Sequence, residues 1–135
     1  MRIDYKLLRL LLLIGISGMP FVQGACPANE IPQADAKFFR EEVLPLLKEH
    51  CHRCHGAKKQ NSGLRLDSRE AVLKGGQNGP AIVVGKPDES LLIKVLKHDG
   101  DIQMPPEEKL DDNDIAIFKT WIEKNAPWPV DNKKS

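Results

Sequence analysis

The sequence predicts an all-α fold of four to five short helices joined by long loops. Over several short stretches, apolar residues recur at spacings of three and four. Most of these stretches open on a residue able to cap a first turn and close on glycine, asparagine or proline. Past the amino terminus the one compact apolar run that lacks this spacing, Ala81-Ile82-Val83-Val84, is too isolated to build a sheet. At 135 residues there is room for one domain.

The amino-terminal segment reads as an export signal. Arg2, Lys6 and Arg9 form a positive head, Leu10 to Val22 is largely apolar, and Val22-Gln23-Gly24 or Gln23-Gly24-Ala25 offers small residues for cleavage. Pro20 breaks the apolar stretch, which is short for a membrane span. We therefore expect a signal peptide at 1–25, a flexible leader at 26–34 that holds Pro27 and Pro32, a domain at 35–130 and a polar tail at 131–135. An uncleaved amino-terminal anchor is the alternative. Export implies a periplasmic location. Cys26 is either a lipid-bearing first residue or a free thiol, although Gln23 stands where a lipobox has leucine. A membrane enters only if Cys26 is lipidated or the signal is retained. The net charge of +1 includes no basic cluster of the kind that binds nucleic acid.

The first helix is expected to start at Asp35 as N-cap and to carry Phe39, Val43, Leu46 and Leu47 on one face. Pro45 lacks an N–H and crowds the carbonyl of Glu41, which predicts a kink or a break into two pieces. The second piece leads into Cys51-His52-Arg53-Cys54-His55, closed by Gly56 in a left-handed position.

C-x-x-C-H is the attachment signature of c-type haem. Two thiols three positions apart lie one helical turn from each other on one side, so each sulfur can bond one of the two neighbouring vinyl groups of a porphyrin. The next residue, His55, then lies under the iron as proximal ligand. Two other uses of the pattern stay open. Half of a zinc site would need a second cysteine pair, and the remaining cysteine, Cys26, stands alone. A redox dithiol would follow a strand, and this flank reads as helix. Export agrees with haem, because covalent haem is attached outside the cytoplasm in bacteria.

After a polar loop, Leu64 and Leu66 alternate with polar neighbours and are expected to reach the macrocycle. Asp67 and Glu70 suggest a capping box for a short helix at 68–74, stopped by Gly75-Gly76. Asp88 or Ser90 can cap the next helix, whose stripe is Leu91, Leu92, Val95 and Leu96 and which ends near His98-Asp99-Gly100. The last helix is the best marked. Asp111 is its N-cap, Asp114 follows at the third position, and Leu110 with Ile115 forms a hydrophobic staple. Ile115, Phe118 and Ile122 supply its buried face with Trp121 at the margin, and Asn125 and Pro127 end it.

A sixth ligand would decide between electron transfer and small-molecule binding. Met1 and Met19 leave with the signal, so Met104 is the one thioether of the mature chain. The following Pro105-Pro106 holds it extended. A lone methionine can also be packing filler, and His98 is the rival ligand, since His50 and His52 are too close to the tether to reach the other face. Without a ligand's duty, His98 reads as a helix C-terminal cation. The aromatic supply of Phe38, Phe39, Phe118, Trp121 and Trp128 is thin, so a porphyrin would complete the core and the haem-free protein is expected to be unfolded or molten.

These motifs together resemble the planctomycete-type cytochrome c domain, a relative of class I cytochromes c. The resemblance is carried by Phe39 through Val43 and Pro45 leading into Cys51–Gly56, by Ser62-Gly63-Leu64-Arg65-Leu66-Asp67, by Lys74-Gly75-Gly76 and Gly79-Pro80-Ala81, by Gly85-Lys86-Pro87 with Ser90-Leu91-Leu92, by Gln103-Met104-Pro105-Pro106, and by Trp121-Ile122 with Ala126-Pro127-Trp128-Pro129. It covers about 38–129. It implies a cytochrome c-like fold wrapped around one haem c, attached through Cys51 and Cys54, with His55 and Met104 as axial ligands. The expected function is single-electron transfer between extracytoplasmic redox proteins by a monomer that is not an enzyme. The first alternative is a haem-based sensor or enzyme in which Met104 dissociates to open the iron. The second is a binding module without cofactor. Trp121 or Trp128 could donate to a haem propionate or serve the core alone.

Overall fold

The computed structural model describes residues 30–129; the expected signal at 1–25, Cys26 and the tail at 131–135 lie outside the described residues. Helices α1 (Gln33–Phe38), α2 (Leu44–His50), α3 (Arg69–Lys74), α4 (Leu91–Leu96) and α5 (Asp112–Glu123) are joined by loops that contain short 3₁₀ turns at Asn61–Gly63 and Pro87–Glu89. Among the described residues there is no strand, only isolated bridges of His55 with Gln60 and of Gly76 with Gly79. The all-α expectation holds.

Between α1 and α2 lies a π-helical turn, Phe39–Val43. The predicted break at Pro45 is absent, and the helical course runs on from Gln33 to His50. The N–H of Leu44 reaches back five residues to the carbonyl of Phe39. That wider register lets the chain pass a proline that cannot donate to Glu41, and a bulge of this kind is itself a recognised site of helix bending. Helix α1 also starts earlier than expected, at Gln33 within the predicted leader. Asp35 is not its cap; its carboxylate pairs with Lys124 at 2.7 Å, joining α1 to the end of α5.

The core gathers Phe39, Val43 and Leu47 from this first rod, Leu92, Ile93 and Leu96 from α4, and Ile115, Phe118, Trp121 and Ile122 from α5. Fully burying each such aliphatic or phenyl side chain contributes about 1.5–3 kcal/mol. On α4 the stripe is rotated from the predicted one: Ile93 is fully buried, while Leu91 and Val95 are half-buried. Trp121, expected at a margin, is completely buried. It forms a cluster with Phe39 and Trp128, at ring-centroid distances of 6.1 and 6.0 Å. Its indole N–H donates to the Pro127 carbonyl at 2.9 Å. This hydrogen bond makes Trp121 a core residue and not a propionate donor.

Helix α3 is capped by Ser68, whose hydroxyl accepts from the Ala71 N–H at 3.2 Å. Asp67, one residue earlier, was the expected cap. It is taken instead by Arg65, which donates from Nε and Nη2 at 3.0 and 2.9 Å and holds the Asp67 carboxyl below the usual carboxylate range. Arg69 donates to the carbonyls of Ala126 and Asn125 and so ties α3 to the chain just past α5. Gly75, with φ of 73°, closes α3 where a Cβ would collide with the Gly79 carbonyl. Ser90 stands at the N-cap of α4, yet its hydroxyl serves the preceding loop, accepting from the Val83 N–H at 2.9 Å and donating to the Lys86 carbonyl at 2.8 Å. Asp111 caps α5 as expected, accepting from the Asp114 N–H at 2.9 Å.

Candidate functional site

Helix α2 runs out at His50, and the next five residues wind into one further turn. The Cys51 N–H donates to the Leu47 carbonyl at 3.0 Å, and the N–H groups of Cys54 and His55 both donate to the Cys51 carbonyl, at 3.1 and 2.8 Å. This turn is what brings Cys51, Cys54 and His55 to one side. Gly56 does not take the left-handed conformation expected of it. It is needed for close approach, because a Cβ there would meet the His52 carbonyl oxygen at 2.5 Å. The turn is fastened to the following segment by two bonds, the Leu66 N–H to the His55 carbonyl and His52 Nε2–H to the Leu66 carbonyl, each 2.8 Å. Since a carbonyl only accepts, the His52 proton sits on Nε2. His52 is thus a staple of the motif.

Cys51, Cys54 and His55 face a cavity of about 820 Å³. Leu64, Leu66, Leu92, Val95 and Leu96 give it apolar walls, and Met104, Pro105 and Pro106 also line it. The structure therefore brings all four sequence-predicted site residues to one cavity. No disulfide joins the two cysteines. Cys51 is buried, which pushes its thiol up to about 12; Cys54 is more open. His55 is 9% exposed, and its Nδ1 is buried without a hydrogen-bond partner. His98 does not line the cavity: its Nε2 lies 3.0 Å from the Met104 carbonyl oxygen. Among the described residues no group of three or more His, Cys, Asp or Glu side chains could hold a metal ion, so a half-zinc site at Cys51 and Cys54 finds no partners there.

Two contacts here carried no sequence signal. Arg53 donates to Glu107, linking the C-x-x-C-H turn to the chain just after Pro105-Pro106 across the cavity mouth. Neither charge stands at a helical spacing from the other, the pattern by which sequence reveals ion pairs. The bond from His98 to Met104 was equally hidden, being made by a backbone atom.

Residues 51–108 match the family model of the planctomycete cytochrome C. The matched segment begins on the first cysteine of the turn and runs through Met104-Pro105-Pro106. Over that segment the chain is similar to a planctomycete-type cytochrome c domain. The match is narrower than the resemblance read over 38–129, leaving α1, α2 and α5 outside it. No curated protein and no solved structure matches the chain. The match to a cytochrome c domain model suggests haem c and haem-based electron transfer, and Cys51, Cys54 and His55 are spaced as in a C-x-x-C-H attachment motif.

Proposed function

We propose that the chain is a mono-haem c-type cytochrome that carries single electrons between redox proteins outside the cytoplasm. The observation that carries this is the convergence of Cys51, Cys54, His55 and Met104 on one apolar cavity of about 820 Å³. The residues fit the group. A buried imidazole with an unpartnered Nδ1 has no structural hydrogen bond to explain it at that atom. An imidazole and a thioether form the donor pair of electron-transfer haems. Leucine walls suit a flat apolar macrocycle.

In this reading Cys51 and Cys54 hold the porphyrin as thioethers, and His55 and Met104 take its iron. The bound group supplies a one-electron ferric–ferrous couple whose potential the thioether raises. The chain's part is rigidity and exclusion. The Cys51–His55 turn is bonded to α2 on one side and to Leu66 on the other, which fixes the imidazole. Met104 is fixed through its N–H, which donates to the Val95 carbonyl at 3.0 Å, and the prolines after it narrow its backbone freedom. Ligands that do not move between oxidation states lower the reorganisation each transfer requires. Water is kept from the centre by Leu64, Leu66 and Leu92. The rim carries both signs, among them Glu49, Arg53, Glu108 and Lys109, so ionic strength should act on encounter rates with redox partners more than on affinity.

The export signal expected at 1–25 supports a periplasmic setting. No helix among the described residues is long and apolar enough to cross a membrane. The intact mass of the exported protein tests the proposal. The expected value is the cleaved chain plus one haem that survives denaturation. A mass without added haem, from cells that mature other c-type cytochromes, overturns it.

A further inference from the structure

His98 occupies a left-handed backbone conformation, φ 56°, immediately after the carboxyl end of α4. That region disfavours any residue with a Cβ, by roughly 1–2 kcal/mol, although histidine is among the side chains seen there more often. A non-glycine outlier of this kind points to a constraint imposed by its surroundings. Here the constraint is visible. The ring of His98 points to the Met104 backbone, with Nε2 at 3.0 Å from the carbonyl oxygen. The oxygen can only accept, so Nε2 carries the proton and donates.

The loop from His98 to Met104 closes on itself around this bond. The Gln103 side-chain amide donates to the carbonyls of His98 and Gly100, at 3.2 and 3.4 Å. The N–H of Met104 donates to Val95 on α4. Both backbone polar groups of Met104 are therefore tied to α4 or to the residues just after it. Beyond Met104, Pro105 and Pro106 have no N–H to offer and cannot anchor the chain through the backbone amide. Among the described residues the His98 bond is thus the tie on the Met104 carbonyl, and it fixes the peptide plane from which the thioether side chain extends into the cavity.

We propose that His98 is the positioning residue for Met104: its Nε2–H, donated to the Met104 carbonyl, sets how firmly the thioether holds the sixth coordination position against an external ligand. The inference rests on Met104 being that ligand. It departs from the expectation that His98, when not a ligand, is an ordinary helix-end cation.

The experiment titrates the ferric holo-protein with imidazole at one fixed pH and follows loss of the methionine-to-iron charge-transfer band. His98→Ala should bind imidazole roughly two- to tenfold more tightly than the wild type, the range corresponding to one net hydrogen bond. His98→Gln, whose amide nitrogen reaches about as far as Nε2, should stay within about twofold of the wild type, less than that one bond. Covalent haem per polypeptide should be equal in all of them. Should His98→Ala fail to accumulate, His98→Asn replaces it, because asparagine tolerates the left-handed backbone while its amide is one methylene short. Unchanged imidazole affinity in the Ala and Asn variants overturns the proposal. So does a Gln variant that binds imidazole as tightly as the Ala variant, since packing and not the N–H would then be at stake. Met104→Ala separates the two levels: if the wild type lacks the band, or if Met104→Ala leaves imidazole affinity unchanged, Met104 is no ligand and both ideas fall. If Met104→Ala opens the site while the His98 variants do nothing, only the role of His98 is lost.

Discussion

Gly56 follows His55 directly, and the space beside it is closed by the chain's own backbone. A Cβ there would lie 2.5 Å from the His52 carbonyl oxygen, and backbone cannot swing aside as a flexible side chain can. We expect Gly56→Ala to lower stability by about 1–3 kcal/mol, the usual range for overpacking a filled site. Urea unfolding of the haem-loaded protein measures this, and a loss below a few tenths of a kcal/mol would show that the turn can open. The sequence marked this glycine for a different reason, a left-handed helix end. Close approach and positive φ both call for glycine, and composition alone cannot separate them. The same limit applies at Asp67 and Ser68. Both residues can cap a helix, and only the position of Arg65 reveals that the aspartate is already engaged.

At the scale of elements, α5 was legible almost to the residue. It is the longest helix described, it carries a full capping signature, and its buried stripe Ile115, Phe118 and Ile122 came out as read. Its start depends on Asp111, whose side chain accepts from the Asp114 N–H. Asp111→Ala should cost about 0.5–2 kcal/mol by leaving that first-turn donor without its cap. Thermal unfolding of the haem-loaded variant reads the loss, which Asp111→Ser should largely restore. The short helices were less legible. Six residues give less than two turns, so a stripe has too few members to fix its direction, and on α4 Ile93 was missed. The segment around Pro45 shows the other limit. Proline states that one hydrogen bond is lost, but whether the helix breaks or shifts to a wider register depends on what it packs against. Here Phe39 and Val43, both within the π turn, are held in the core, and the register gives way instead.

For the whole molecule, the apolar material falls into two regions. Phe39, Trp121 and Trp128 form an aromatic cluster whose closest rings are 4.6 Å apart. Leu64, Leu66, Leu92, Val95 and Leu96 border the cavity, where a macrocycle would cover them. A Cys51→Ala/Cys54→Ala chain that cannot tether haem leaves that second region against water. It should retain part of its far-ultraviolet helix signal, lose near-ultraviolet ellipticity and bind a hydrophobic dye, the signature of a molten state. A variant with a sharp, cooperative melt and no dye binding would mean that the aromatic cluster suffices to order the domain by itself.

The proposed chemistry is read from the sequence alone, because haem attachment uses residue types at a fixed local spacing. Cys51, Cys54 and His55 lie within one turn, and Met104 is the sole thioether beyond the expected signal. The helical class was legible for the same reason, since spacing and caps are local properties. What only the tertiary structure decided is every relation between distant segments: that Met104 shares a cavity with His55, that Asp35 belongs to Lys124, that Arg53 meets Glu107, and that His98 serves the Met104 carbonyl. These pairings depend on where loops bring backbone and side-chain atoms after the core has formed, and no local spacing encodes that.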